Sequence, residues 1–451
     1  MLVELLSSGA EALLLREQNN AALLKASSAM LQERPLLLRE INLACQEKLL
    51  HGQIFLVVIN IADTNHYDDI IRIFGYKLAD DLLNIRLMDI EFISIRQSSF
   101  RVGLWSVGLV FRAKNPQDYQ ASLKRLIDVL AKPVICRGIP VNIKAGVGVC
   151  DLMKSSGAAE DLLQATYLAG QAGARSPTGW AECNYDLTTG HQRAFTLIAD
   201  AENSLTTAHE FSLRYQARIN LKTGRAPAVE AFLRWRHPSL GTVMPDEFIP
   251  LIEMTGLSQQ LTSWVLSNAL AQLENWHALG FKLQICVKIS TKNLEEPDFV
   301  LRLEQLLKKH GIASNFLELE FSERRKFTDL EAARTKLREL RELGVNISID
   351  DFGTGANSLG SLENLPANAL KLDRRLVHSV VDNARQQVLV KALIHMAHEL
   401  DMYVVAEGVE NQIMLEMLLS WRCDYIEGYL INRPMPADTF IEWFSHRFPR
   451  A

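Results

Sequence analysis

Two hydrophobic patterns divide the chain. From about residue 208 onward, short apolar runs recur with segments of helical spacing between them. The runs predict strands over 212–219, 228–233, 283–289, 316–321, 345–349, 369–372, 403–406 and 425–431. Thr328-x-x-Glu331 opens one intervening helix as a capping box, and Gly344 follows its last turn. Eight strands alternating with helices predict an α/β fold on the TIM-type (β/α)8 plan. Upstream, β-rich runs over 54–61, 101–111 and 141–149 mix with helical stretches over 70–87, 121–130 and 158–174, which predicts a smaller α+β domain. Residues 1 to about 48 are rich in Leu, Ala, Glu and Gln and predict helix. The pairs Leu13–Leu14, Leu23–Leu24 and Leu36–Leu37 fit either a helix lying on the following domain or a dimerisation or input-coupling segment. The expected division is 1–48, 49–187 and 188–451.

Composition narrows the function. The 451 residues are 48% hydrophobic and 22% charged, the balance of an ordinary globular protein. A net charge of −5 argues against a broad nucleic-acid surface. The longest clean apolar run, 54–59, is too short to cross a bilayer, and the N-terminus lacks the basic stretch of a signal peptide. Cys45, Cys136, Cys150, Cys183, Cys286 and Cys423 are scattered, as expected of reduced, structural thiols. The expectation is a cytoplasmic protein with no membrane insertion.

Charge placement carries more. Glu230, Lys288, Glu320, Asp350, Asp351, Lys371, Glu407 and Glu427 each fall within or at the end of an apolar run. A solvated loop explains any one of them; a barrel gathers such strand ends at one mouth, which explains them together.

The segment Glu230-Ala-Phe-Leu-Arg-Trp-Arg-His-Pro resembles the signature of EAL-domain cyclic di-GMP phosphodiesterases. Pro245-Asp-Glu-Phe-Ile-Pro, Glu253-Met-Thr-Gly, Asp350-Asp-Phe-Gly-Thr-Gly, Lys371-Leu-Asp and Ala406-Glu-Gly-Val-Glu follow in the expected order. Upstream, Gly75-Tyr76, Ala79-Asp80 and the helix 161–175 resemble a GGDEF (diguanylate cyclase) domain. Its signature hairpin is 103–107, so Trp105 and Ser106 replace the acidic pair, and Asn60 stands where a metal-binding aspartate belongs. Phosphoryl transfer needs carboxylates to hold Mg²⁺, which excludes cyclase activity.

For the barrel, the resemblance implies metal ligands at Glu230, Glu320, Asp350, Asp351 and Glu407, with Lys371 orienting water or stabilising charge and Glu323 supporting a loop. It implies Arg234 as a phosphate contact, and Phe232, Pro245, Phe248, Glu253 and Asp373 around the nucleotide. Two positions depart: Lys288 replaces a ligand asparagine and Glu427 a glutamine. An ammonium offers a metal only donors and positive charge. At 4 Å and an effective dielectric of about 20, it is repelled by a dication by roughly 8 kcal/mol. The bland alternative is a Lys288 pointing to solvent. The sharper expectation is an ammonium standing in for a metal among Glu230, Glu320, Asp350 and Glu427.

Three readings follow: a non-catalytic regulator acting through an unknown protein partner and sensing cyclic di-GMP, with no required cofactor; a weak Mg²⁺- or Mn²⁺-dependent phosphodiesterase; or a nucleotide-independent scaffold. The resemblance also implies homodimerisation through the barrel.

Overall fold

The structure, a computed structural model, describes residues 32–47, 53–62, 64–93, 98–155, 157–184, 186–207, 210–322, 330–352 and 365–448. Two compact units make it up, Met1–Arg193 and Ala194–Ala451. The division falls inside the helix Asp186–Thr206, a few residues after the expected boundary.

In the first unit, β1 (Gln32–Glu33), β2 (Gln53–Asn60), β3 (Ser99–Gly103), β4 (Ser106–Ala113), β7 (Gly146–Asp151) and β8 (Trp180–Glu182) form one sheet in the order β1-β3-β4-β2-β7-β8. β5 (Val134–Cys136) and β6 (Ile139–Val141) form a separate ribbon. The unbroken apolar run of β2 explains its central place, because both faces need cover. Phe55, Val57 and Ile59 enter one core, and Ile54, Leu56 and Val58 enter another. The helix Arg34–Gln46 buries Leu37, Ile41 and Ala44, one stripe at helical spacing, in that second core. For these residues the packing-helix reading holds; Leu13, Leu14, Leu23 and Leu24 lie outside the described residues.

Three expectations change in detail. The stretch 70–87 is two helices, Thr64–Phe74 and Tyr76–Ile93, parted at Gly75 with φ +78°. The run 101–111 is the β3–β4 hairpin, and 141–149 spans the end of β6 and the start of β7. The helix Ala159–Arg175 lies so close on β7 that a Cβ at Gly148 would stand 1.9 Å from the Thr166 carbonyl oxygen.

In the second unit, β9 (Phe211–Asn220), β10 (Ala228–His237), β12 (Gln284–Ile289), β13 (Leu317–Ser322), β14 (Asn346–Phe352), β15 (Ala369–Leu372), β16 (Tyr403–Ala406) and β17 (Tyr425–Ile426) close into a barrel. β11 (Gly241–Val243) pairs with the outer end of β10. The expected eightfold barrel forms with one correction: β9 runs antiparallel to both its neighbours, β10 and β17. Its link to β10 is a short turn containing Gly224 at φ +68°, and a parallel crossover needs a dozen residues or more. The last run is also shorter than expected. At Gly428, φ is +155°, and a Cβ there would meet the Val409 carbonyl oxygen at 2.2 Å, so the chain turns after Ile426. Among the described residues, no helix is long and apolar enough to cross a membrane.

Gly148→Val is expected to lower the stability of the first unit by roughly 1–3 kcal/mol through forced helix displacement; unchanged urea unfolding of the variant would contradict this packing.

Candidate functional site

Parallel pairing from β10 through β16 brings the predicted charges together. Lys288 stands opposite Glu320, and Asp350 opposite Ser322. A cavity of about 480 Å³ opens over them, lined by Glu230, Phe232, Arg234, Pro245, Glu253, Lys288, Asp350, Asp351 and Glu407 among others. This is the volume of a small-molecule site.

Three cations meet the carboxylates, Lys371 and Arg218 beneath the cavity and Lys288 on its wall. The fully buried Lys371 places Nζ 2.8 Å from Glu230, Glu320 and Glu407, and 3.7 Å from Glu427. Arg218, on β9, donates from Nη1 to both oxygens of Glu318 at 2.9 and 2.8 Å, and from Nη2 to Glu320 at 2.9 Å. Its Nε donates to Glu427 at 2.5 Å, and the Tyr403 hydroxyl donates to Glu318 at 2.8 Å. Lys288 sits at the rim with its side chain half-exposed, 2.6 Å from Asp350 and 3.5 Å from Asp351. Asp351 adopts φ +60°, which aspartate tolerates better than most residues. Its N–H donates to Asp350 at 2.7 Å, and Ser322 donates to its carboxylate at 2.8 Å.

These contacts correct the expected charge compensation. Lys288 pairs with Asp350 and Asp351, whereas the cation among Glu230, Glu320 and Glu427 is Lys371. Arg218 answers the charge of Glu427. The reason is depth: the Lys288 side chain stands half-exposed at the rim, whereas those of Lys371 and Arg218 are fully buried. Arg218 and Glu318 went unremarked in the sequence, although each is a charge inside an apolar strand, and Glu318 alternates with Glu320 in Leu-Glu-Leu-Glu-Phe.

Seven carboxylates (Glu230, Glu318, Glu320, Asp350, Asp351, Glu407, Glu427) face three cations, and burial competes with those cations at each buried site. Burial pushes Glu230 well above the usual range, with the charge of Glu320 adding to it. Burial also pushes Glu320 up to about 7 and Glu407 up to about 8, against the pull of Lys371. At Glu427, burial is outweighed by Lys371 and Arg218, which hold it down at about 2. At Asp350, burial is likewise outweighed, by Lys371 and Lys288, and the carboxyl lies well below its ordinary value.

The same arrangement tests whether the residues suit divalent cations. Glu230, Glu407 and Glu427 offer oxygens within 4.8 Å of one another, a hard-donor set that fits one such ion once Lys371, which bonds Glu230 and Glu407, gives way. On the Asp350–Asp351 side the Lys288 ammonium already bonds the carboxylates, and the residues do not fit a second.

Phe232, Arg234, Pro245 and Glu253 line the mouth. Arg234 spends one donor on the Leu233 carbonyl, at 2.8 Å. Phe248 does not line the cavity; it is fully buried against Phe211 and Trp235, because its helix turns that face to the core. Asp373 is also buried away from the cavity, where its carboxylate caps the helix Arg374–His378 through the Arg375 N–H at 2.8 Å. Glu323 and Thr328 lie outside the described residues. In the first unit, Trp105 is buried against Tyr67, and Ser106 donates to Asn60 at 2.8 Å, an uncharged pair in the sheet.

Residues 199–434, just over half the chain, match the EAL domain. The chain belongs to the EAL-domain family. Among curated relatives, this EAL protein is 34% identical to the cyclic di-GMP phosphodiesterase PA2567 of Pseudomonas aeruginosa over 400 residues, 87% of this chain and 67% of that one. It is 32% identical to the cyclic di-GMP phosphodiesterase NbdA of the same organism, over 88% of this chain and 51% of NbdA. The chain thus spans about two thirds of one relative and half of the other. A solved structure, the PaMucR phosphodiesterase in complex with c-di-GMP, superposes with TM-score 0.52 at 35% identity, covering 54% of this chain and 99% of that one.

Two outcomes are expected from this geometry. Phe248→Ala lowers stability by roughly 3–5 kcal/mol as a core cavity, measured by urea unfolding; a ligand-wall residue would leave stability unchanged. Arg218→Met costs roughly 3–5 kcal/mol by stranding Glu318, Glu320 and Glu427. Adding Glu427→Gln recovers part of that loss, so strict additivity in the double-mutant cycle would refute the pairing.

Proposed function

We propose that this EAL barrel is a cyclic di-GMP receptor that does not turn the dinucleotide over efficiently and acts on a protein partner. The observation that carries the reading is the Lys288 ammonium, 2.6 Å from Asp350 and 3.5 Å from Asp351. Two-metal phosphodiester cleavage needs two ions about 3.5–4 Å apart, each held by oxygens. Here one pair of carboxylates is bonded to a fixed cation that supplies charge but no activated water. Binding needs less. Arg234 offers a guanidinium for a phosphate, and Phe232, Pro245 and Glu253 line the space beside it. The first unit reads as a drifted GGDEF-like domain, with Trp105, Ser106 and Asn60 buried where carboxylates would hold a metal.

A second reading, a weak phosphodiesterase working with one Mg²⁺ or Mn²⁺, is favoured by the excess of carboxylates over cations around Glu230, Glu407 and Glu427.

Calorimetric titration of the full chain with cyclic di-GMP, with and without Mg²⁺, is paired with an assay for linear pGpG. The expected result is binding without appreciable turnover, and a rise in Mg²⁺-dependent hydrolysis of roughly a hundredfold in Lys288→Asn/Glu427→Gln, the scale for restoring an active-site electrostatic group. Brisk hydrolysis by the unmodified chain would establish the second reading. Absence of binding would leave a nucleotide-independent scaffold.

A further inference from the structure

A second cavity lies in the barrel unit, on the β9–β10 ribbon. It holds about 700 Å³ and is larger than the mouth. Arg214, Arg234 and Arg236 line it together with Ser212, Asn268 and Trp264. The pairing explains the convergence. Arg234 stands opposite Ser212, and Phe232 opposite Arg214, so the two-residue period of both strands puts all three arginines on one face of the ribbon. Residues two apart on a strand are about 7 Å apart, and diagonal neighbours across a pair about 7–8 Å, within reach of a single anion for side chains of this length.

Among the described residues no carboxylate lines the cavity, and neither Arg214 nor Arg236 makes an ion pair or a side-chain hydrogen bond. Arg218 and Arg302, in the same unit, each hold carboxylates. Lone surface arginines are commonly unpaired. Three of them converging in a concave site, with neutral donors from Ser212 and Asn268, are a different arrangement. Burial opposes protonation of Arg234 and the charge of Arg214 adds to it, while Tyr429, Asp246 and Glu230 pull the other way.

We propose that this cavity binds a phosphate-bearing small molecule, at a site separate from the mouth and sharing Arg234 as a common wall. Guanidinium forks suit phosphate oxygens bidentately, and the cavity has the size of a small-molecule pocket. Trp264 offers an aromatic surface on which a base can stack. The proposal stands on this cavity alone, whatever the mouth binds.

The test is calorimetric titration of the full chain with inorganic pyrophosphate and, separately, with guanosine diphosphate, at constant ionic strength. Arg214→Gln/Arg236→Gln leaves Arg234 and the mouth untouched and is expected to weaken pyrophosphate binding roughly tenfold or more. Arg214→Lys/Arg236→Lys keeps the charge and is expected to retain more of it. Should either glutamine substitution perturb the melting curve, Arg236→Gln alone, at an exposed position, carries the comparison. Tighter binding of the diphosphate nucleotide than of pyrophosphate identifies a nucleotide; equal binding identifies the phosphate group alone. No pyrophosphate binding by wild type, or equal affinity in wild type and the double glutamine variant, overturns the proposal.

Discussion

A closed barrel whose strands aim seven carboxylates at one axis must bring its own positive charge or bind it. Like charges in a medium of low polarisability disfavour one another's ionisation, and groups as buried as Glu318 and Glu320 are cut off from bulk solvent. Arg218, Lys371 and Lys288 meet this requirement at three depths. Arg218 joins Glu318, Glu320 and Glu427; Lys371 joins Glu230, Glu320 and Glu407; Lys288 closes the rim at Asp350 and Asp351. The rest of the site depends on this layering. It separates Glu427, held ionised between Arg218 and Lys371, from Glu407, which burial pushes up to about 8.

The layering also gives the two departures from the family pattern different meanings. Glu427 is built into the core, and the antiparallel strand β9 delivers the arginine that answers it. Lys288 is half in solvent and bonded to Asp350 and Asp351 at the rim. One substitution is absorbed by the fold, and the other acts at the mouth. On the function proposed above, a barrel of the phosphodiesterase shape supplies the second cation from its own chain.

Each feature is legible in the sequence only as far as periodicity and residue type encode it. The strands at 369–372 and 403–406 were legible to the residue, since a short buried apolar run in a barrel has few alternatives. The reversal of β9 was not, because an apolar strand reads alike in either direction and only the brevity of its turn betrays it. The apolar run 425–431 predicts a longer final strand than forms, since the conformation at Gly428 outweighs the apolar residues that follow. Within the site, Glu230, Glu320, Asp350, Lys371 and Glu407 could be gathered from strand ends alone. Partner choice could not. Whether an ammonium reaches Glu427 or Asp350 depends on depth in the barrel, which periodicity does not encode. The same limit explains Phe248 and Asp373, which match the family motif and serve as a core aromatic and a helix cap.

The central claim is that the Lys288 ammonium holds the place of a metal ion beside Asp350 and Asp351. Its most direct measurement is anomalous scattering from crystals grown with Mn²⁺ and cyclic di-GMP. The account predicts at most one manganese, on the Glu230–Glu407–Glu427 side, with Lys288 still bonded to Asp350. Two manganese ions, with Lys288 displaced from both aspartates, would contradict it.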